Sequence, residues 1–121
     1  VEELRSVLDY RRSRLAKRLR VEALRLAFGL EEIVATKVIL LGSTGMSERA
    51  ALTSDLDIIA VMATDEPFIE RTVSAYRRLR PLVAADILIY TPEEMETLAT
   101  TSEFVKKALA EGEVLHETAS S

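Results

Sequence analysis

A chain of 121 residues, 48% of them apolar, with a formal net charge of −4, is long enough for one packed domain and too apolar for a disordered one. The lack of cysteine excludes a disulfide framework, a thiolate zinc site and thiol catalysis, and fits a cytoplasmic protein. The acidic balance and an aromatic content of only 5% argue against nucleic acid as a partner. No apolar run approaches the roughly 18 residues of a membrane span, and no signal peptide is visible.

From the amino terminus, Val1 to Phe28 carries Leu4, Leu8, Leu15, Leu19, Ala23 and Leu26 at the spacing of an amphipathic helix, with Gly29 as its expected stop. Eight of the sixteen basic residues lie here, which reads either as a solvated face or as a surface for an acidic partner or RNA. A strand follows over Lys37 to Leu41, then a short helix or loop from Thr44 to Thr53, then a strand from Asp55 to Met62. Asp65-Glu66-Pro67 leads into a helix from Phe68 to Leu79, which Pro81 ends. A third strand runs from Val83 to Tyr90. Thr91-Pro92-Glu93-Glu94 has the pattern of a capped helix start, and that helix reaches about Ala99. A last helix spans Ser102 to Glu111, closed by Gly112. Val114-Leu115 forms a brief edge strand, and Thr118 to Ser121 frays. The order predicts one α/β (α+β) domain, a small mixed sheet flanked by helices.

Three aspartates stand at the heads of apolar, β-branched runs: Asp55 and Asp57 before Ile58-Ile59-Ala60-Val61, and Asp86 before Ile87-Leu88-Ile89. A carboxylate at the head of a core strand is costly unless a proton, a basic group or a metal partners it. Residues two apart in a strand point to one face, so Asp55 and Asp57 are expected to project together, with Leu56 and Ile58 turned into the core. Asp86 on a neighbouring strand would complete a cage for magnesium, whose hard oxygen ligands these are. Two such ions sit about 3.5–4 Å apart where carboxylates bracket them. Gly42-Ser43, closing the first strand, lets a backbone approach phosphate and adds a hydroxyl donor. Arg49 is a candidate triphosphate contact by reach and charge. His116, the one histidine, is expected on the surface, so a Ser-His-Asp hydrolase has no support. Gly42-Ser43-Thr44-Gly45 lacks the lysine of a P-loop.

Strand-Gly42-Ser43, eleven intervening residues, Asp55-Leu56-Asp57 and then Asp86 in a later strand resemble the DNA polymerase beta-like nucleotidyltransferase superfamily. The short length, Tyr90-Thr91-Pro92-Glu93-Glu94 and the Phe104 to Leu115 ending resemble its minimal nucleotidyltransferase branch. The likeness covers about Thr36 to Leu115. It implies a single nucleotidyltransferase-fold domain over residues 1–121, with a core of about 36–115 and a helix of about 1–28. It implies a magnesium-dependent, ATP-binding transferase that moves a nucleoside monophosphate, AMP from ATP, to a hydroxyl acceptor and releases pyrophosphate. Asp55 and Asp57 would hold the metals with Asp86, Asp86 would help activate the hydroxyl, and Gly42 and Ser43 would hold the triphosphate. Members of this branch pair with small helical HEPN-type toxins as antitoxins, some by adenylylating them. Such a partner is therefore implied here, in a homo- or hetero-oligomer.

One departure stands out. The branch usually carries a basic residue soon after Gly-Ser, whereas Thr44-Gly45-Met46-Ser47-Glu48 holds none and Arg49 is the first. The alternative to an enzyme is therefore a catalytically weak or inactive antitoxin that neutralises its partner by contact. A third reading is a regulatory nucleotide-binding domain from a longer chain.

Overall fold

A computed structural model describes residues 1–42 and 55–118. The expectation of a helix or loop over Thr44 to Thr53 lies outside them, as does residue 119 onward of the frayed end expected from Thr118, whereas Thr118 itself is held, its N–H donating to Thr36 O at 2.8 Å. The described elements are α1 (Glu2–Glu32), β1 (Lys37–Leu40), β2 (Leu56–Val61), α2 (Phe68–Leu79), β3 (Ala85–Tyr90), α3 (Pro92–Thr101), α4 (Glu103–Glu111) and β4 (Glu113–Glu117). The strands form one mixed sheet in the order β3-β2-β1-β4. β1 pairs antiparallel with both β2 and β4, while β2 and β3 run parallel. A parallel pair needs a crossover, and α2 supplies it. The mixed α/β class expected from the element order is the class observed.

Helices cover both faces. On one, Leu56, Ile58, Ala60, Ala85, Ile87 and Ile89 pack with Ala23, Leu26, Ala27 and Leu30 of α1 and with Ala75 and Leu79 of α2. On the other, Ile39, Leu41, Ile59 and Val61 pack with Met95 of α3 and Val105 and Ala108 of α4. Central β2 is buried on both sides, which is why its sequence is nearly continuous in apolar residues.

α1 runs past its expected stop. A Cβ on Gly29 would overlap Leu79 Cδ2, so the glycine lets Leu79 pack over bare helix backbone and does not end the helix. Termination comes instead at Ile33-Val34-Ala35. Ala35 N–H donates to Leu30 O and Val34 N–H to Glu31 O, both at 2.9 Å, the hydrogen-bond pattern of a Schellman cap. Val34, with φ of 68°, fills the left-handed position that glycine usually takes. The expected apolar face of α1 is also only partly used. Residues 1–18 are all exposed, and burial begins beyond Leu19.

Two buried charges fasten the helices. Glu22 accepts from both Arg25 and Leu82 N–H, and Arg25 donates to Leu79 O and Arg80 O, which secures the end of α2 against α1. Arg71 donates to Ile89 O at 3.1 Å, to Glu66 O at 2.8 Å and to Glu94 at 2.6 Å, joining α2, β3 and α3. Glu94 also closes the capping box with Thr91 that the sequence predicts. β4 is longer than the expected Val114-Leu115, and a register irregularity between Val38 and Ile39 shapes its pairing with β1. His116 lies on β4 beside Val38, its side chain 18% exposed and Nδ1 3.6 Å from Glu31, rather than on the open surface.

Candidate active site

The antiparallel β1–β2 pair and the parallel β2–β3 pair bring the carboxyl end of β1 beside the amino ends of β2 and β3. Leu41 N–H donates to Asp57 O at 2.9 Å, so Gly42 follows directly next to the head of β2. Gly42 is exposed, and a Cβ built on it would meet none of the described residues within 4 Å.

Asp57 and Asp86 are register partners across β2 and β3. Paired residues on neighbouring strands point to the same face with a strand spacing of about 4.8 Å. That face is the one whose next pair inward is Ile59 and Leu88, packed beneath α3 and α4. Asp57 is half-buried and Asp86 exposed at the head of this face. Leu56 and Ile58 point into the opposite cluster, as the alternation requires.

Asp55 is placed differently from expectation. It sits in a bend one residue before β2, exposed, and its N–H and that of Leu56 both donate to Ala84 O, at 2.7 and 3.1 Å. The carboxylate pair in register is thus Asp57–Asp86 across the strands, with Asp55 next to it along the chain. Among the described residues no group of three His, Cys, Asp or Glu side chains is placed to hold a metal ion. Ser43 and Arg49 lie outside the described residues. The donor chemistry of Asp57 and Asp86 nevertheless fits magnesium, an ion that takes one or two carboxylates and fills its remaining positions with water and phosphate oxygens.

Tyr76 packs against the cluster on the other face of the sheet, near the head of β3, and sequence reasoning treats it only as a helix-face residue. Thr72 Oγ1 donates to Ile87 O at 2.9 Å, which lays α2 along β3 and carries Tyr76, one turn on, toward the β3 head. Burial raises the Tyr76 pKa above its usual value of 10.0, and the charges of Asp86 and Asp57 raise it further. Burial and the two carboxylates both favour the protonated phenol. The only sequence signal for it is its place four residues after Thr72 in a helix bound to β3.

No protein-family model, curated protein or solved structure matches this chain.

Proposed function

We propose that this chain is a minimal-type nucleotidyltransferase of the DNA polymerase beta-like superfamily. It transfers a nucleoside monophosphate, AMP from ATP, to a hydroxyl on a partner protein in the cytoplasm. The observation that carries the reading is the Asp57–Asp86 register pair on one sheet face, with Gly42 next to the head of β2.

Asp57 and Asp86, with Asp55 alongside, would hold magnesium, which when bound offsets the charge of the triphosphate. Gly42 leaves room for phosphate oxygens to approach main-chain N–H groups. Asp86, the more exposed of the pair, accepts the proton of the attacking hydroxyl. The hydroxyl oxygen then bonds to the α-phosphorus, the bond from that phosphorus to the bridging oxygen breaks, and pyrophosphate leaves with the electron pair. Catalysis of this kind is positioning plus electrostatics and needs no covalent protein intermediate.

The test is a thermal unfolding scan with ATP and magnesium, wild type against Asp55→Asn/Asp57→Asn. Ligand at about a hundred times its dissociation constant adds about 2.7 kcal/mol of stability. A magnesium-dependent rise in wild type alone is the expected result, and transfer of label from ATP to a protein hydroxyl should then disappear in Asp57→Asn. No rise in either protein would remove the nucleotide site and leave the second reading, an antitoxin that acts by contact. That reading draws on the lack of a basic residue from Thr44 to Glu48 and on the uncovered first half of α1.

A further inference from the structure

The first half of α1 stands off the domain. At about 1.5 Å per residue its eighteen exposed residues extend about 27 Å. Leu4, Leu8 and Leu15 are 63%, 44% and 54% exposed. On a helical projection these three and Leu19 fall within an arc of about 60°. The stripe is continuous with Leu26, which is fully buried against the sheet, so one apolar line is partnered at its carboxyl end and bare at its amino end. It runs into a groove lined by Leu15, Leu19, Leu82 and Val83, where Leu82 is 80% exposed.

Charge defines what fits there. Arg5 and Arg12 border the stripe on one side and Arg11 and Arg18 on the other, each about 20–40° beyond its edge. Among the described residues none of these four arginines has an ion-pair partner. Tyr10 and Arg14, on the far side of the helix, bond to each other at 3.2 Å. Residues 1–20 carry seven basic side chains against three acidic ones, while the remaining residues carry nine against seventeen.

We infer that the amino-terminal half of α1 is a docking helix for another protein, whose matching element is an α-helix with an apolar seam flanked by carboxylates. The occupant's seam lies along Leu4, Leu8 and Leu15, and its acidic residues meet Arg5, Arg11, Arg12 and Arg18. Its end abuts the groove at Leu19 and Leu82. Val7, 48% exposed, lies outside this arc beyond Arg11 and Arg18, so the leucines form a strip bounded by arginines that suits a helix-to-helix seam better than the unbroken arc of 100° or more that a broad apolar surface takes. A lipid surface asks for that broader face and for interfacial aromatics, and Tyr10 is the one aromatic in residues 1–20. A second copy of this chain would bring the same arginines to the same seam. Nucleic acid would use the arginines and leave the leucines bare. The inference does not depend on nucleotide transfer and is tested without nucleotide.

The probe is a labelled synthetic helical peptide with a leucine seam and glutamate flanks, compared with the same peptide carrying lysine flanks. The glutamate peptide should bind the full chain, the lysine peptide roughly tenfold or more weaker, and added salt should narrow the gap. Leu8→Gln/Leu15→Gln should weaken binding by about tenfold with an unchanged far-UV circular dichroism spectrum. Arg11→Glu/Arg12→Glu, which keeps good helix formers in place, should reverse the preference between the peptides. Equal binding of the two peptides, unchanged binding in the leucine variant, or no binding at all would overturn the inference. So would a wild-type dimer in sedimentation that Leu15→Gln dissociates, which assigns the stripe to a second copy. Binding to phosphatidylserine vesicles without peptide binding would assign it to a membrane surface instead.

Discussion

Asp57 and Asp86 face each other across the parallel β2–β3 pair, and both raise the pKa of Tyr76 on the helix that connects those strands. A folded-state pKa above the unfolded value means that the native state binds the proton more tightly. The associated stability is present below the unfolded pKa of about 10 and is lost as pH rises through the folded one. Tyr76→Phe should therefore flatten the alkaline decline of stability above pH 10. In a spectrophotometric titration, Asp57→Asn/Asp86→Asn should lower the Tyr76 midpoint yet leave it above 10, because burial is the larger cause. A midpoint unmoved by removal of both charges would place the phenol outside their field.

Glu94 and Arg71 give the acid side of the same profile. The hydrogen bond from Arg71 lowers the Glu94 pKa below its usual 4.5, and the Thr91 N–H adds to this. A depressed carboxylate pKa stabilises the fold above the unfolded value, and that stability disappears as pH falls through the folded value. Glu94→Gln should cost roughly 1 kcal/mol at neutral pH, a modest figure because the carboxylate is partly exposed and screened. The loss should vanish in denaturant titrations carried out well below pH 4. Arg71→Ala should cost more, since the buried guanidinium also binds Ile89 O and Glu66 O.

The element order, the mixed α/β class and the capped start of α3 were legible in the sequence because local chemistry decides them. Apolar runs mark strands, and Thr91-Pro92 with Glu94 marks a helix start whatever surrounds it. What was not legible depends on distant residues. Gly29 reads as a helix stop until Leu79 is seen packing over it. Leu4, Leu8 and Leu15 repeat like core residues, yet nothing in periodicity says where the sheet ends beneath the helix. The Asp57–Asp86 register depends on how α2 sets β3 against β2, and strand sequences do not encode that offset. Tyr76 gains its electrostatic neighbours through the same offset.

Gly112 should tolerate no side chain. Its φ of −71° is ordinary, so the constraint is space: a Cβ there would overlap Ile39 Cγ2 and crowd Ala108 O. One obstacle is backbone and the other a fully packed branched side chain, and neither can swing aside cheaply. Gly112→Ala should destabilise by about 1–3 kcal/mol, measured as a lower denaturant midpoint at unchanged slope. It should also weaken protection of the β4 amides in hydrogen exchange, because the turn from α4 into β4 begins at this residue.

Val34 offers the opposite case, a position where glycine is expected to improve the protein. The cap that ends α1 needs a left-handed residue, and Val34 occupies it with φ of 68°. A β-branched side chain is strained there, because both its γ-carbons crowd the backbone. Its side chain is 72% exposed, so little packing is lost with it. Glycine relieves the strain, but it also gives the unfolded chain more freedom, which takes back part of the gain. The net expectation for Val34→Gly is about 0.5–1 kcal/mol of added stability, seen as a higher denaturant midpoint. Val34→Ala isolates the two effects: it removes the branching while keeping the Cβ, and should recover only part of the increase. If Val34→Gly instead lowers the midpoint, the left-handed cap at the end of α1 is wrong, and with it the reason the helix runs through Gly29.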